Sequence, residues 1–295
     1  MPSTSRALTR RAATLIGFSA ILLWSTLALA TSATGAVPPF LLTALTFAIG
    51  GTVGLVTARL RGVGLSVLFQ PWPVWLHGVG GLFGYHFFYF SALKLAPPAE
   101  AGLIAYLWPL LIVLFSAFLP GERLRPAHIA GALMGLAGTV VLLGARAGGF
   151  GFAPEFVPGY LAAALCAVIW SVYSVASRHF QAVPTEVVAG FCLATAGLSA
   201  VCHALFEPAV WPAGAGEWLA VLALGVGPVG IAFYTWDIGM KRGDIRLLGV
   251  MSYAAPVLST LLLVTAGFAA LSWPLAAACA LIVGGAAVAT LLARR

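Results

Sequence analysis

The chain has 295 residues, of which 61% are hydrophobic and only 8% are charged. Soluble domains carry about 25% charged residues, so this composition excludes an ordinary globular fold. The net charge of +7 does not indicate a nucleic-acid partner, because the cations lie in short connections between long apolar segments, as in membrane proteins.

Ten apolar segments are long enough to cross a bilayer as helices, for which about 20 residues suffice. In chain order they cover residues 12–31, 38–58, 74–93, 98–118, 126–145, 158–177, 185–206, 217–238, 246–266 and 272–293. The connections between them are short and leave no room for a domain outside the membrane. The sequence therefore predicts an all-α integral membrane protein with ten transmembrane helices surrounded by the lipid bilayer.

The first segment also resembles a signal peptide, because Arg10 and Arg11 precede it and Ala28-Leu29-Ala30 offers a small-residue cleavage site. The segment is longer than a usual signal core, and it aligns with a later segment around Trp170 that lies far from the N-terminus. Both observations favour a retained first span.

Several motifs of the first half recur in the same order 146 or 147 residues later. The pairs are Trp24-Ser25 with Trp170-Ser171, Tyr106-x-x-Pro109 with Tyr253-x-x-Pro256, and Lys94 with Lys241. The repeat divides the chain into residues 12–145 and 158–293, with five spans in each half. Five crossings turn the second half upside down relative to the first. Inverted repeats are typical of secondary transporters, in which the substrate site lies between the halves near the bilayer midplane.

The distribution of Lys and Arg predicts the orientation. With the N-terminus in the cytoplasm, all of the 15 Lys and Arg residues except Lys94 and Arg146 fall on the cytoplasmic side. This arrangement obeys the positive-inside rule. We therefore expect a multi-pass protein of a bacterial-type inner membrane with both termini in the cytoplasm.

Aromatic and polar side chains far from the span ends are candidates for lining a substrate pathway, because interfacial belts explain only those at the ends. In the third span, Tyr85, His86 and Tyr89 are spaced three and four residues apart and share one helix face. The other candidate substrate-binding residues are Tyr106, Trp108, Trp170, Ser252 and Tyr253. For each of them helix packing is the alternative role.

Pro109 and Pro256 lie at matching positions of the two halves. A proline inside a helix removes one backbone hydrogen bond and kinks the chain. Here it frees the carbonyl groups of Ala105 and Ser252, which could accept hydrogen bonds from a substrate ammonium group. We predict that the two prolines are hinges, with a purely structural kink as the alternative.

The sequence does not indicate an enzyme. It contains no HExxH, GxSxG or Walker-type motif, and its four cysteines form no CxxC pair. His86 and Asp237 are isolated and are expected to lie toward opposite sides of the membrane, so they do not form the convergent set of groups that catalysis needs. We expect no cofactor, no metal site and no obligate protein partner.

Two further features are expected to serve the fold. Asp237 lies four residues before Lys241, which predicts an i,i+4 ion pair that reaches the membrane interface. Small residues such as Gly131, Gly135 and Gly138 are spaced three and four apart, which predicts close packing of helix backbones. Glu122, Arg123 and Arg125 are interpreted as charges of a short cytoplasmic loop that help to set the topology.

The stretch from Gly84 to Gly144 resembles the second part of an EamA repeat of the drug/metabolite transporter superfamily. The matching landmarks are Ala92-Leu93, Pro109, Gly121-Glu122-Arg123, Gly131 and Gly138. The patterns Tyr85-His86-x-x-Tyr89 and Tyr106-x-Trp108-Pro109 are similar to those of the YddG branch, whose members export aromatic and other amino acids. The chain departs from many family members at Thr46, where they carry an Arg, and the second repeat lacks the Gly-Glu-Arg landmark.

The resemblance implies ten helices, export from the cytoplasm and alternating access between the halves. The expected substrates are amino acids, aromatic ones preferred, and similar small metabolites. Export of amphipathic organic cations is an alternative, because aromatic faces attract cations, and a passive metabolite channel is another. No carboxylate is expected at mid-membrane, which favours facilitated diffusion or weak proton coupling.

Overall fold

The computed structural model describes residues 8–267 and 269–292. Arg6, Phe268, Arg294 and Arg295, and the last residue of the predicted span 272–293, lie outside the described residues. The described part of the chain consists of α-helices, short 3-10 turns and one π-helix, without β-strands, which confirms the predicted all-α class. The α-helices are α1 (Arg10–Trp24), α2 (Leu27–Ser32), α3 (Pro39–Leu60), α4 (Trp72–Leu95), α5 (Pro98–Ala105), α6 (Trp108–Phe115), α7 (Pro126–Ala147), α8 (Val157–Ala176), α9 (Val188–Phe206), α10 (Ala215–Val226), α11 (Ala232–Arg242), α12 (Ile245–Ser252), α13 (Ala254–Thr265) and α14 (Trp273–Leu291).

Nine helical segments within the described residues are long and apolar enough to cross a membrane. They are Arg10–Ser32, Pro39–Leu60, Pro98–Phe118, Pro126–Ala147, Pro154–Phe180, Thr185–Phe206, Ala215–Arg242, Ile245–Thr265 and Trp273–Leu291. The expected third span, 74–93, falls within α4 and is not among these nine. Helix α4 has 24 residues, but its Trp, Tyr, His and Gly residues lower its mean hydropathy.

The predicted interruptions before Pro109 and Pro256 are present. Helix α5 ends at Ala105 and α6 begins at Trp108, and α12 ends one residue before Tyr253 while α13 begins one residue after it. Each proline therefore lies in the first turn of the helix that follows the break, and its missing N–H leaves the carbonyl group four residues earlier without that backbone donor.

A different break separates α10 from α11. The chain forms a π-helix over Gly227–Ile231, and such wide turns often mark functional positions in helices. The Pro228 carbonyl group accepts a hydrogen bond of 3.0 Å from the indole N–H of Trp24. This bond ties the break to the end of α1.

The main helix contacts join the two parts of the chain on either side of residues 148–156. Helix α3 packs on α9, α4 on α8, α1 on α11, and α7 on α14. At the α7–α14 contact, a Cβ added to Gly131 would lie 2.5 Å from the Gly285 carbonyl oxygen. Side chains would clash at this distance, so the prediction that Gly131 serves close helix packing is confirmed.

The helix bundle has two charged ends. At one end, Arg10 contacts both Glu122 and Asp244, at 2.9 and 3.4 Å, and we call this the Glu122 end. At the opposite end, where α4 finishes after Lys94, the backbone N–H of Gly151 donates a hydrogen bond of 2.9 Å to Glu100. We call this the Lys94 end.

Candidate functional site: an aromatic cluster between the two halves

Four tryptophans from four separate helical segments meet inside the bundle. Trp24 ends α1, Trp108 begins α6, Trp170 lies in α8 and Trp236 in α11. All six pairs of rings are in contact, with centroid separations from 5.0 to 6.4 Å. Trp236 is fully buried, Trp108 and Trp170 are at most 8% exposed, and Trp24 is half-buried.

Hydrogen bonds orient two of these rings and hold the backbone beside a third. The indole N–H of Trp236 donates to the Ser174 hydroxyl group at 3.1 Å, that of Trp24 donates to the Pro228 carbonyl group, and the Ser171 hydroxyl group donates to the backbone carbonyl group of Trp108 at 2.9 Å. Buried indole groups need such partners, because an unsatisfied donor in an apolar core costs free energy. The cluster is therefore a fixed surface of indole rings.

The predicted face of α4 borders the tryptophan cluster. The rings of Tyr85 and Tyr89 are stacked at 5.8 Å with an interplanar angle of 7°, and Tyr85 lies 5.3 Å from Trp170. Both tyrosines are half-buried. The prediction that these two side chains share one helix face is confirmed.

His86 is placed between the tyrosines and α3. Its Nδ1 lies 2.7 Å from the Leu82 carbonyl oxygen, so Nδ1 carries the proton of the neutral ring and Nε2 is left as an acceptor. The imidazole edge also lies against Phe47, with ring centroids 5.0 Å apart. His86 is half-buried, so it borders the cluster without being sealed inside it.

The break before Pro109 separates two neighbouring candidates. Tyr106 and Trp108 are two residues apart and would point in different directions on a regular helix. In the structure Tyr106 lies in the turn after α5 and is half-buried, whereas Trp108 starts α6 and is buried among the other indoles. The interruption allows the two side chains to take these separate positions.

The structure does not bring Tyr253 to the tryptophan cluster. Its ring is fully buried against Gly135 of α7, and its hydroxyl group accepts a hydrogen bond of 3.2 Å from the Leu110 N–H. The Ser252 hydroxyl group donates to the Leu248 carbonyl group at 2.7 Å. In this conformation both side chains take part in helix packing around the second break.

Asp237 and Lys241 form the predicted i,i+4 ion pair, at 2.9 Å. The expectation that the pair reaches the interface is wrong, since the two residues are only 3% and 5% exposed. Thr185 donates to Asp237 at 2.6 Å, and Lys241 donates to the Val183 carbonyl group at 2.9 Å. These partners replace water, so the pair can stay buried between α11 and the start of the α9 segment.

Glu122 has a role that was not apparent from the amino-acid sequence. Its carboxylate accepts hydrogen bonds from Arg10 at 2.9 and 3.2 Å and forms an ion pair of 2.8 Å with Arg246, while Arg178 lies at 4.0 Å. Arg246 also donates to the Arg123 carbonyl group. These contacts connect the N-terminus of α1, the α6–α7 connection, the end of the α8 segment and α12. The spacing of residues along the chain does not predict these contacts, because the partners are distant in sequence.

A cavity of about 320 Å³ opens beside this charge cluster. Its polar and charged lining residues are Arg10, Glu122, Arg123, Arg125, His128, Asp244, Arg246 and Thr290. Among residues 8–267 and 269–292, no group of three or more His, Cys, Asp or Glu side chains is arranged to hold a metal ion.

Comparison with known proteins identifies the family. The model of the EamA-like transporter family matches residues 11–144 and 157–291, which together cover most of the chain. The aromatic amino acid exporter YddG of Ancylobacter novellus is 86% identical over 288 residues, which cover 98% of this chain and 100% of that protein.

More distant relatives and a solved structure agree with this match. The aromatic amino acid exporter YddG of Escherichia coli is 27% identical over 305 residues and covers 98% of this chain and 100% of that protein. The pseudopaline exporter CntI of Pseudomonas aeruginosa is 31% identical over 176 residues, or 58% of this chain and 59% of that protein. One crystal structure superimposes with a TM-score of 0.95 at 86% sequence identity and covers 97% of this chain and 99% of its own.

Proposed function

Because the chain belongs to the EamA-like transporter family, we propose that it exports amino acids, aromatic ones preferred, and similar small metabolites from the cytoplasm. The observation that carries the proposal is the contact between four indole rings from four helical segments and the stacked pair Tyr85 and Tyr89. Such a surface suits an aromatic side chain, because aromatic rings contribute about 0.5–1.5 kcal/mol per pair beyond burial. The names of the relatives at 86% and 27% identity support the same substrate class.

The proposal includes a topology of ten transmembrane helices. Helix α4 supplies the tenth, since 24 residues at about 1.5 Å per residue exceed the thickness of the hydrocarbon core. Its low hydropathy fits a helix that turns Tyr85, His86 and Tyr89 toward a polar pathway rather than toward lipid.

Two inverted halves, residues 12–145 and 158–293, complete this topology. The separate family matches to 11–144 and 157–291 support the division. The helix contacts support the inversion as well. Helices α1 and α11 belong to spans 1 and 8, α3 and α9 to spans 2 and 7, α4 and α8 to spans 3 and 6, and α7 and α14 to spans 5 and 10, and these are the pairs that pack together. A two-fold axis that exchanges spans 1–5 with spans 6–10 maps this set of pairs onto itself.

The chain is proposed to lie in a bacterial-type inner membrane with the Glu122 end in the cytoplasm. The described part of this end carries Arg10, Arg123, Arg178 and Arg246, whereas Lys94 is exposed at the opposite end. Positive residues are retained on the cytoplasmic side during insertion. Both termini are then cytoplasmic.

Alternating access is supported by the unequal burial along the bundle axis. Tyr85, Tyr89 and Tyr106 are only partly buried. Toward the Glu122 end, Trp236 and Leu248 are fully buried and the charge cluster joins the helix ends. We propose that this conformation is the one closed to the cytoplasm.

The proposed site binds a zwitterion without a full counter-charge among the aromatic residues. Tyr85, Tyr89, Tyr106 and His86 supply hydroxyl and imidazole groups, and the carbonyl groups freed before Pro109 and Pro256 can accept from an ammonium group. In this proposal Ser252 and Tyr253 approach the substrate only when the second break changes its geometry. Affinity is expected to be weak, roughly millimolar, or about −4 kcal/mol.

Counterflow in proteoliposomes tests the proposal. Vesicles loaded with unlabelled phenylalanine are diluted into trace labelled phenylalanine, and a panel of amino acids and quaternary ammonium compounds replaces the internal substrate. We expect saturable uptake driven by internal aromatic amino acids. Uptake driven only by the ammonium compounds would favour the organic-cation alternative, and non-saturable uptake without stimulation from the opposite side would favour a channel.

A further inference from the structure

The cavity at the Glu122 end carries an excess of positive charge. Four arginines line it against the two carboxylates of Glu122 and Asp244, which leaves a surplus of two positive charges. In a partly desolvated cavity such a surplus favours an anion. At about 320 Å³ the cavity is large enough for a small metabolite.

The geometry around Glu122 already binds a carboxylate. Arg10 donates to both of its oxygen atoms, and Arg246 approaches one of them to 2.8 Å. Both hydrogen bonds from Arg10 come from its Nη2 atom, and guanidinium groups, which are always charged and carry five N–H donors, suit carboxylates. Among the cavity arginines, the Nε atom of Arg246 is buried, makes no hydrogen bond within the described residues and lies 3.7 Å from the Asp244 carboxylate, so this guanidinium group keeps one donor without a hydrogen bond.

The aromatic cluster lacks an equivalent group. Its polar atoms belong to Tyr hydroxyl groups, His86 and backbone carbonyl groups, and the nearby Lys241 is occupied by Asp237. A charged partner for the carboxylate of an amino acid must therefore lie outside the aromatic cluster. The Glu122 end offers the required arginines.

We propose that the cavity at the Glu122 end captures the carboxylate of the amino acid before transport, and that this carboxylate replaces Glu122 on Arg10 and Arg246. This inference rests on the proposed function. Replacement releases the contacts that hold the α6–α7 connection to α1 and α12. Capture of the substrate thereby loosens the cytoplasmic end of the bundle.

The Glu122→Gln variant tests whether the Glu122 carboxylate competes with the substrate carboxylate for Arg10 and Arg246. The glutamine keeps the shape of the side chain but no longer competes as an anion. In inside-out membrane vesicles, which expose the Glu122 end, we expect KM for phenylalanine to fall by about tenfold. The inhibition constant of phenylalaninamide, in which a neutral carboxamide replaces the carboxylate, should stay within about twofold. A parallel change for both compounds would overturn the inference, because a purely structural contact does not discriminate between them.

Arg10→Gln tests the same site in the opposite direction. The Arg10 side chain is 49% exposed and Glu122 keeps its ion pair with Arg246, so replacing Arg10 leaves no buried charge without a partner. We expect KM for phenylalanine to rise about tenfold in inside-out vesicles, again without an effect on the amide. Arg61→Gln, an exposed position outside the cavity, is the matched control and should change neither value.

Two further comparisons separate the remaining explanations. If the increase in KM caused by Arg10→Gln disappears in proteoliposomes of neutral lipid, an anionic lipid headgroup occupies the cavity and the inference is wrong. If phenylalanine is transported in both directions but KM at the Glu122 end does not respond to either substitution, the capture site is refuted while the proposed function stands. Absence of any amino acid transport would refute both.

Discussion

At the residue scale, spacing along one helix predicted contacts that the structure contains. Tyr85 and Tyr89 are four residues apart and stack on each other, and Asp237 pairs with Lys241. Contacts between spans could not be predicted in this way, because the spacing of residues along one helix does not show which other helix packs against it. Trp236 could still have been found, since it lies 147 residues after Tyr89, the same offset that relates Lys94 to Lys241.

The buried pair makes a prediction about stability. Lys241→Met leaves the Asp237 carboxylate buried without a counter-charge and should lower the free energy of unfolding by about 3–5 kcal/mol. Adding Asp237→Asn removes that charge and should restore most of the loss. Thermal unfolding of the purified protein in detergent measures both effects as shifts in Tm.

The matched control for this pair is Lys94→Met. Lys94 occupies the equivalent position of the first half but is exposed, so its replacement should leave Tm unchanged. Equal shifts for Lys94→Met and Lys241→Met would show that the buried pair has no special role.

At the element scale, hydrophobic length predicted ten spans, and nine of them are helical segments long and apolar enough to cross a membrane. Proline identified the breaks within two of these segments. The π-helix at Gly227–Ile231 was not anticipated, although Pro228 and two glycines mark the segment. The Pro228 carbonyl group in this segment accepts a hydrogen bond from Trp24, which belongs to a distant part of the chain. Proline and glycine in the local sequence therefore mark the positions of the helix breaks, but they do not predict the backbone geometry at each break.

The two proline breaks lead to a prediction about transport. Pro109→Ala and Pro256→Ala each restore a backbone donor that can pair with the carbonyl group four residues earlier. We expect normal membrane insertion but a several-fold lower transport rate, because a straighter span changes conformation less readily. Counterflow per amount of inserted protein is the measurement.

Pro274→Ala is the control for the proline substitutions. Pro274 lies in the first turn of α14 at the start of a helix, where proline is well tolerated and no break exists. Its replacement should not slow transport. Full activity of the Pro109→Ala/Pro256→Ala double variant would leave these breaks with a packing role only.

At the scale of the whole molecule, the repeat and the charge distribution predicted how the halves are arranged, and composition predicted the class. The position of the charge cluster at the Glu122 end could not be derived, since it depends on which span ends converge. Arg10 begins α1, Glu122 lies between α6 and α7, and Asp244 lies between α11 and α12, so that each is more than 100 residues from the next in sequence. Only the assembled bundle brings them together.

The ten-helix topology is tested with reporter fusions. A reporter after Gly62 and one after the last residue should be cytoplasmic, whereas reporters after Pro97 and after Gly148 should lie outside. The pair Gly62 and Pro97 brackets α4. If these two reporters were found on the same side, α4 would not cross the membrane and the two halves would not be inverted.

Substrates are proposed to bind where the four tryptophans of the two halves meet. The measurement that tests this proposal most directly is the ratio of the phenylalanine to the alanine counterflow rate in wild-type protein, Trp170→Ala and Trp211→Ala. Removing the Trp170 ring takes away aromatic contact area but not the polar groups around it, so the ratio should fall by roughly five- to tenfold, corresponding to about 1 kcal/mol. The Trp211 ring is 54% exposed and lies outside the cluster, so Trp211→Ala should keep the wild-type ratio. An unchanged ratio in Trp170→Ala, with normal amounts of inserted protein, would contradict the account and place the substrate elsewhere.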